Sequence, residues 1–216
     1  MATFKDGING GFNGRIGSVV GYKWRSKWVM RSLPKASKKK RSMKQLLNEE
    51  KMRTIQLFLS KSISLIRKGF SLVPEIERMS AFNAAMSYNK KHGFIIENDV
   101  LKLNFENLMF AQGDLENPKN LQVKQVDSAI EITWDFSGDW ERGTDQSMIL
   151  LIDDTLDHAI GTASGALRKT KKEVLSLGGV PPGTTLHIYT AFIADDRISV
   201  SNSVYGGYIK VKQAVL

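Results

Sequence analysis

The residues best equipped for reaction chemistry in this chain are three histidines and one acidic cluster, and neither sits in the company that chemistry needs. Hydrolysis or group transfer calls for a nucleophile beside a base, or for paired carboxylates facing a cleft. His92 adjoins Gly93 at the expected end of a helix, where a cation complements the dipole. His158 adjoins Asp157 in an expected loop, and His187 falls within an expected strand. None has a metal-ligand spacing such as H-x-x-x-H. Asp153-Asp154-x-x-Asp157-His158 would suit a hard cation, but it lacks the glycine and final glutamate of a calcium loop. A solvated loop is the stronger reading there, and Asp195-Asp196 reads as a hairpin tip. With no cysteine, the chain has no disulfides, thiol catalysis or thiolate zinc sites. No catalytic residue, metal ligand or cofactor follows from these residues, and the chain is expected not to be an enzyme.

Charge is the stronger signal. From Gly7 to Lys44 the sequence holds eleven Lys and Arg residues and no Asp or Glu, together with a cluster of glycines and two of the four tryptophans. The overall charge of +9 is therefore local: residues 1–53 carry fourteen basic against three acidic residues, and residues 118–216 carry ten against twelve. Such a leader suits an acidic partner. The residues expected to make the contacts are Arg15, Lys23, Arg25, Lys27, Arg31, Lys38, Lys39, Lys40 and Arg41, whether the partner is an acidic protein surface or nucleic acid. In the nucleic-acid reading they meet phosphates while Tyr22, Trp24 and Trp28 stack on bases. In the other reading Trp24 and Trp28 are cross-strand hairpin residues and the leader docks within an assembly. A solvated basic face with no specific partner is the third reading. The glycines fit neither G-x-x-x-x-G-K-[ST] nor G-x-G-x-x-G after a strand, so a turn-rich entry into a strand outweighs an anion cradle.

The positioning elements follow from residue type and period. Ile16 to Trp24 and Trp28 to Leu33 are rich in β-favouring residues, which predicts a hairpin with arms 15–24 and 27–33. Pro34 ends it, and residues 35–41 form a solvated connector. Ser42 and Gln45 make a capping box for a helix over 42–68, with Gly69 as its stop. A second helix is expected to start near Pro74 and run to about Lys91, antiparallel to the first. Alternation from Val100 to Phe105 predicts a strand, and residues 108–112 a second short one. Glu116-Asn117-Pro118 is read as a boundary between an N-terminal module, 1–116, and a second domain, 117–216. That second domain holds about seven short segments separated by turn residues, the pattern of a β-sandwich.

Two resemblances add to this. Pro118-Lys-Asn-Leu-Gln-Val123 with Ile130-Glu-Ile-Thr-Trp134-Asp135 resembles the first two strands of a fibronectin type III domain. Leu177, Pro181-Pro-Gly-Thr184 and His187-Ile-Tyr-Thr-Ala191 resemble its E–F corner and F strand. Leu186 stands where that family places a tyrosine, so a tyrosine corner cannot form from that position, and Trp134 is expected in the core. The whole chain also resembles a family of small bacterial proteins of unknown function, through Gly10-Gly-Phe-x-Gly14-Arg-x-Gly17-x-Val-Val-Gly21, Trp24, Arg31-Ser-Leu-Pro-Lys35, Gln45 with Arg53, Ala191-Phe-Ile and Val200-Ser-Asn-Ser-Val-Tyr205. Its leader is similar to those of some phage virion proteins. The expected fold class is α+β, mainly β: an N-terminal hairpin and antiparallel helix pair followed by a fibronectin type III-like sandwich. The expected function is a structural or interaction protein that docks on an acidic partner in a larger assembly such as a virion, with nucleic-acid binding as the alternative. With neither a secretory signal nor a membrane-spanning run, the expected location is the cytoplasm or a particle assembled there.

Overall fold

The computed structural model describes residues 2–4, 10–24, 26–35, 39–72, 79–97, 100–138 and 140–212. The chain divides into two compact units, Met1–Ser42 and Met43–Leu216.

The first unit is an antiparallel sheet in sequence order: β1 (Thr3–Phe4), β2 (Phe12–Ile16), β3 (Val19–Trp24) and β4 (Lys27–Ser32). The expected hairpin is present in β3 and β4, but its first arm is shorter than expected. Gly17, at φ 55°, turns the chain after Ile16, so Arg15 and Ile16 belong to the preceding strand. Two glycines admit aromatic rings against the backbone: a side chain at Gly11 would run into the Trp28 ring, and one at Gly21 into the Phe12 ring. Both positions read as packing geometry, not as an anion cradle.

The second unit begins with α1 (Met43–Lys61), α2 (Ile63–Gly69) and α3 (Ala81–His92), followed by a hairpin of β5 (Phe94–Glu97) and β6 (Val100–Leu103). The single helix expected over 42–68 is broken at Ser62. Its buried hydroxyl donates back to the Phe58 carbonyl at 3.2 Å, and its own backbone leaves helical geometry at φ −121°, ψ 27°. Ser80 caps α3 by accepting from the Asn83 amide at 3.2 Å, so this helix starts at Ala81 and not near Pro74, which lies outside the described residues.

The strand expected over 108–112 is absent. A 3-10 turn, Phe105–Asn107, leads into an extended segment whose backbone finds scattered partners. Asn89, fully buried on α3, accepts from the Met109 amide at 2.8 Å and donates to the Met109 carbonyl at 2.8 Å. The Ser203 hydroxyl accepts from Phe110, and Gln112 donates to the Gly69 carbonyl at 2.8 Å. Gly69 has no side chain because Phe110 and Ala111 cross directly over it.

Seven further strands follow: β7 (Lys119–Val126), β8 (Ala129–Asp135), β9 (Gln146–Asp153), β10 (Ala159–Thr162), β11 (Lys172–Ser176), β12 (Thr185–Ile193) and β13 (Val204–Lys210). They form a three-stranded sheet, β11-β8-β7, and a four-stranded sheet, β10-β9-β12-β13, both antiparallel. Between the sheets lie Ile130, Ile132, Trp134, Ile149, Leu151, Leu186, Ile188 and Phe192. The opposite face of the four-stranded sheet is buried as well. Met148, Leu150, Ile152, Tyr189, Ala191 and Ile193 share one core with Ile55, Phe58, Leu59, Leu65, Ile66 and Phe70 of the helical layer. The boundary expected at 116/117 is therefore not where the chain divides, because helices and sandwich bury apolar surface against each other. The outer face of the three-stranded sheet is polar, with the Glu131 carboxylate held between Lys124 at 2.7 Å and Lys172 at 3.0 Å.

Candidate functional site

The first unit concentrates the charge. Residues 1–42 contain eleven Lys and Arg residues and one acid, Asp6, a net of +10 within a chain of +9, which leaves −1 for residues 43–216. Residues opposite one another in an antiparallel ladder share a face, and successive residues alternate between faces. The register pairs Arg15 with Val20, Val20 with Arg31, Tyr22 with Val29, and Trp24 with Lys27. One face thus presents Arg15, Lys27 and Arg31 with Tyr22 and Trp24. The other presents Lys23 with Phe12, Ile16, Trp28 and Met30, because Lys23 pairs with Trp28 and Gly21 with Met30.

Arg15 and Arg31 flank Val20 in one row, about 10 Å apart across two strand spacings. Arg15 also folds over its own turn, its Nε donating to the Gly17 carbonyl at 3.0 Å. Arg31 stands 5.7 Å from the Tyr22 ring centroid, and the Lys23 ammonium 6.0 Å from that of Trp28. Trp24 is 54% exposed, Trp28 40% and Met30 66%, so both faces hold accessible apolar surface beside cations. Lys39, Lys40 and Arg41 are exposed and follow the sheet. Arg25 and Lys38 lie outside the described residues. The structure therefore brings Arg15, Lys27 and Arg31 onto one face of the sheet and sets Lys23 on the other.

The residues considered for chemistry are held by structural contacts. Asp153 is a turn anchor: its carboxylate accepts from the Asp157 amide at 2.8 Å, the His158 amide at 3.0 Å and the Thr155 hydroxyl at 2.6 Å. Burial pushes this carboxyl up, but the Thr155 hydroxyl and the two amides outweigh burial and hold it below its ordinary value. Among the described residues no three His, Cys, Asp or Glu side chains are grouped to hold a metal ion. His92 is exposed at the end of α3, its ring centroid 4.7 Å from that of Tyr88. His187 lies flat on Phe105, ring centroids 3.6 Å apart, with Nδ1 2.8 Å from the Tyr205 hydroxyl. Asp196 holds its hairpin tip by accepting from the Ile198 and Ser199 amides.

Sequence reasoning missed Arg168. It is 2% exposed, paired with Asp145 at 3.2 Å and Glu116 at 3.0 Å, and lies 4.4 Å from the Phe192 ring centroid. Its carbonyl accepts from Trp134 Nε1 at 2.8 Å, so this cation closes one end of the sandwich core in which Trp134 sits as expected. A Lys/Arg run at 168–172 looks like a solvated turn, and nothing in its spacing singles out the first member. Among the described residues no helix is long and apolar enough to cross a membrane.

The model of a family of unknown function (DUF6266) matches residues 11–207. No curated protein matches the sequence. Among solved structures, the chain is similar to the FN1–FN3 domains of chicken CNTN1, with 16% identity over 48% of this chain and 34% of that one, at a TM-score of 0.37. It is also similar to an fn3 domain of human contactin 1, with 15% identity over 49% of this chain and 84% of that one, at a TM-score of 0.35. The chain thus spans about a third of the length of the chicken fragment. Three strands facing four in the order given above make its sandwich fibronectin type III-like.

Proposed function

This chain belongs to the DUF6266 family of unknown function, and from that premise we propose that it is a non-enzymatic structural or interaction protein whose basic N-terminal sheet docks on an acidic partner in a larger assembly. One observation carries the reading: residues 1–42 carry a net charge of +10, and the sheet within them sets Arg15, Lys27 and Arg31 on one face with Tyr22 and the exposed Trp24. Cations around exposed aromatic surface are the composition of an interface core and its rim. A fibronectin type III-like sandwich adds support by fold analogy, since such sandwiches serve many proteins as interaction modules. In this chain the analogy is limited to the polar three-stranded face and the loops, because the helices cover the four-stranded one.

The test is the state of the full chain isolated from its own source at low salt, beside the variant R15Q/K27Q/R31Q. The expected result is a stoichiometric acidic companion or a large assembly, released by salt and missing from the variant. A strictly monomeric chain with no companion at low salt refutes the reading.

One feature favours a second reading, nucleic-acid binding: exposed Trp24 and Trp28 stand beside cations, as on platforms that stack single strands. Gel shifts with DNA and RNA separate the two. Affinity that falls steeply with salt, with a shallower slope in K39Q/K40Q/R41Q, selects this reading, and no shift at low salt discards it.

A further inference from the structure

We propose that a groove between α1 and α3 is a docking site for an acidic amphipathic helix of a partner protein. The groove has a volume of about 490 Å3 and lies wholly within the Met43–Leu216 unit, so the inference stands apart from the N-terminal sheet. Its rim is basic: Lys51 from α1, and Lys90 and Lys91 from the last turn of α3. Two thioethers line it, Met86 buried and Met52 exposed, the side chain that adapts best to an irregular apolar partner. Asn48, Asn83 and Ser87 add amide and hydroxyl groups.

Among the described residues no carboxylate lines the groove, and the helical period shows how α1 arranges this. Asn48, Lys51 and Met52 stand at i, i+3 and i+4 and share one side of α1, as Asn83, Met86, Ser87 and Lys90 share one side of α3. At roughly 100° per residue, Glu49 and Glu50 turn about 100° and 200° away from Asn48. Lys51 is held in place, with its ammonium 5.4 Å from the Phe94 ring centroid.

This chemistry selects the occupant. Three cations with no acid among the described lining residues call for carboxylates, the two methionines call for apolar side chains, and a trough between two helices accepts a third helix along its length. An acidic amphipathic helix meets all three demands at once. Nucleic acid meets only the first, because no aromatic residue is among the described residues that line the groove for a base to stack on.

The experiment is fluorescence anisotropy with the full chain and a labelled Leu/Glu peptide patterned with leucine at i, i+3, i+4 and i+7. A Leu/Lys peptide of the same pattern and a single-stranded oligonucleotide of matched charge serve as comparisons. The Leu/Glu peptide is expected to bind and the Leu/Lys peptide not. K51E/K90E/K91E is expected to weaken binding by at least tenfold, about 1.4 kcal/mol, with circular dichroism unchanged, while R15Q/K27Q/R31Q leaves it within twofold. K51M/K90M/K91M serves where the reversed charges disturb the fold. The proposal is overturned by three results: no binding of the Leu/Glu peptide, binding lost with the sheet variant but kept in the groove variant, or tighter binding of the oligonucleotide through the same lysines. Each leaves the outcome of the low-salt assembly test untouched.

Discussion

His187 shows how a single residue ties the layers together and what that costs. Its ring is sandwiched against Phe105, bonded to Tyr205 and tilted towards Tyr208, so it spans the joint between the 3-10 turn and the four-stranded sheet. Burial pushes its pKa below the ordinary histidine value of 6.5, and the charges of Asp154 and Asp153 only partly oppose this. The unfolded chain therefore binds a proton at this site more readily than the folded one. Stability should be full above pH 6.5, fall as pH drops from there to the depressed folded value, and level off below it as far as this residue is concerned. Urea midpoints measured across that window, for the native chain and H187F, check the prediction. The native midpoint should decline with acid and that of H187F should stay flatter. An equal slope in both removes His187 from the account. Its expected place on a strand was legible in the sequence. The stack on Phe105 was not, because the two rings are 82 positions apart in sequence and meet only when the sheet and the 3-10 turn pack.

At the scale of elements, local pattern identifies what local forces make. The apolar face that fills α1 from Ile55 onward, the alternation of β6 and the turn residues between the sandwich strands all act over a few positions, and all are readable in the sequence. The break at Ser62 and the irregular run 108–112 are different. Ser62 interrupts a good helical pattern by a hydroxyl bond to Phe58, and residues 108–112 look like a strand but bond to Asn89, Ser203 and Gly69. Asn89 reads as an ordinary polar helix position, yet it is fully buried and also donates to the Ala85 carbonyl at 2.9 Å. N89A leaves the part-buried amide and carbonyl of Met109 without their partner, each at about 1–2 kcal/mol, the lower part of the cost of an unmade buried hydrogen bond. The expected loss is about 2–4 kcal/mol in urea unfolding, with faster hydrogen exchange at the Met109 amide. A loss under about 1 kcal/mol, with that amide still protected, would show that water or a neighbour replaces the asparagine.

At the scale of the whole chain, β9 and β12 explain why the boundary at 116/117 misleads. Strands that face water on one side alternate, but Ser147-Met-Ile-Leu-Leu-Ile152 and Leu186-His-Ile-Tyr-Thr-Ala-Phe-Ile193 run buried from end to end. Such a run belongs to a sheet covered on both faces. Seven strands and a proline at 118 suggest a self-contained sandwich, and only these two unbroken strands hint that another layer lies on it. The cost of removing that layer follows from burial. Met148, Leu150, Ile152, Tyr189, Ala191 and Ile193 would face water, and full exposure of large apolar side chains costs roughly 1.5–3 kcal/mol each. The sum, about 10 kcal/mol, is comparable to the entire net stability of a typical domain, roughly 5–15 kcal/mol. The fragment 43–216 should therefore unfold in one cooperative transition with native near-ultraviolet dichroism. The fragment 117–216 should aggregate, or remain compact, bind a hydrophobic dye and lack fixed aromatic signals. A monomeric, cooperatively folded 117–216 fragment would overturn this account, and it would mean that the exposed sheet face rearranges to a polar surface without its helices.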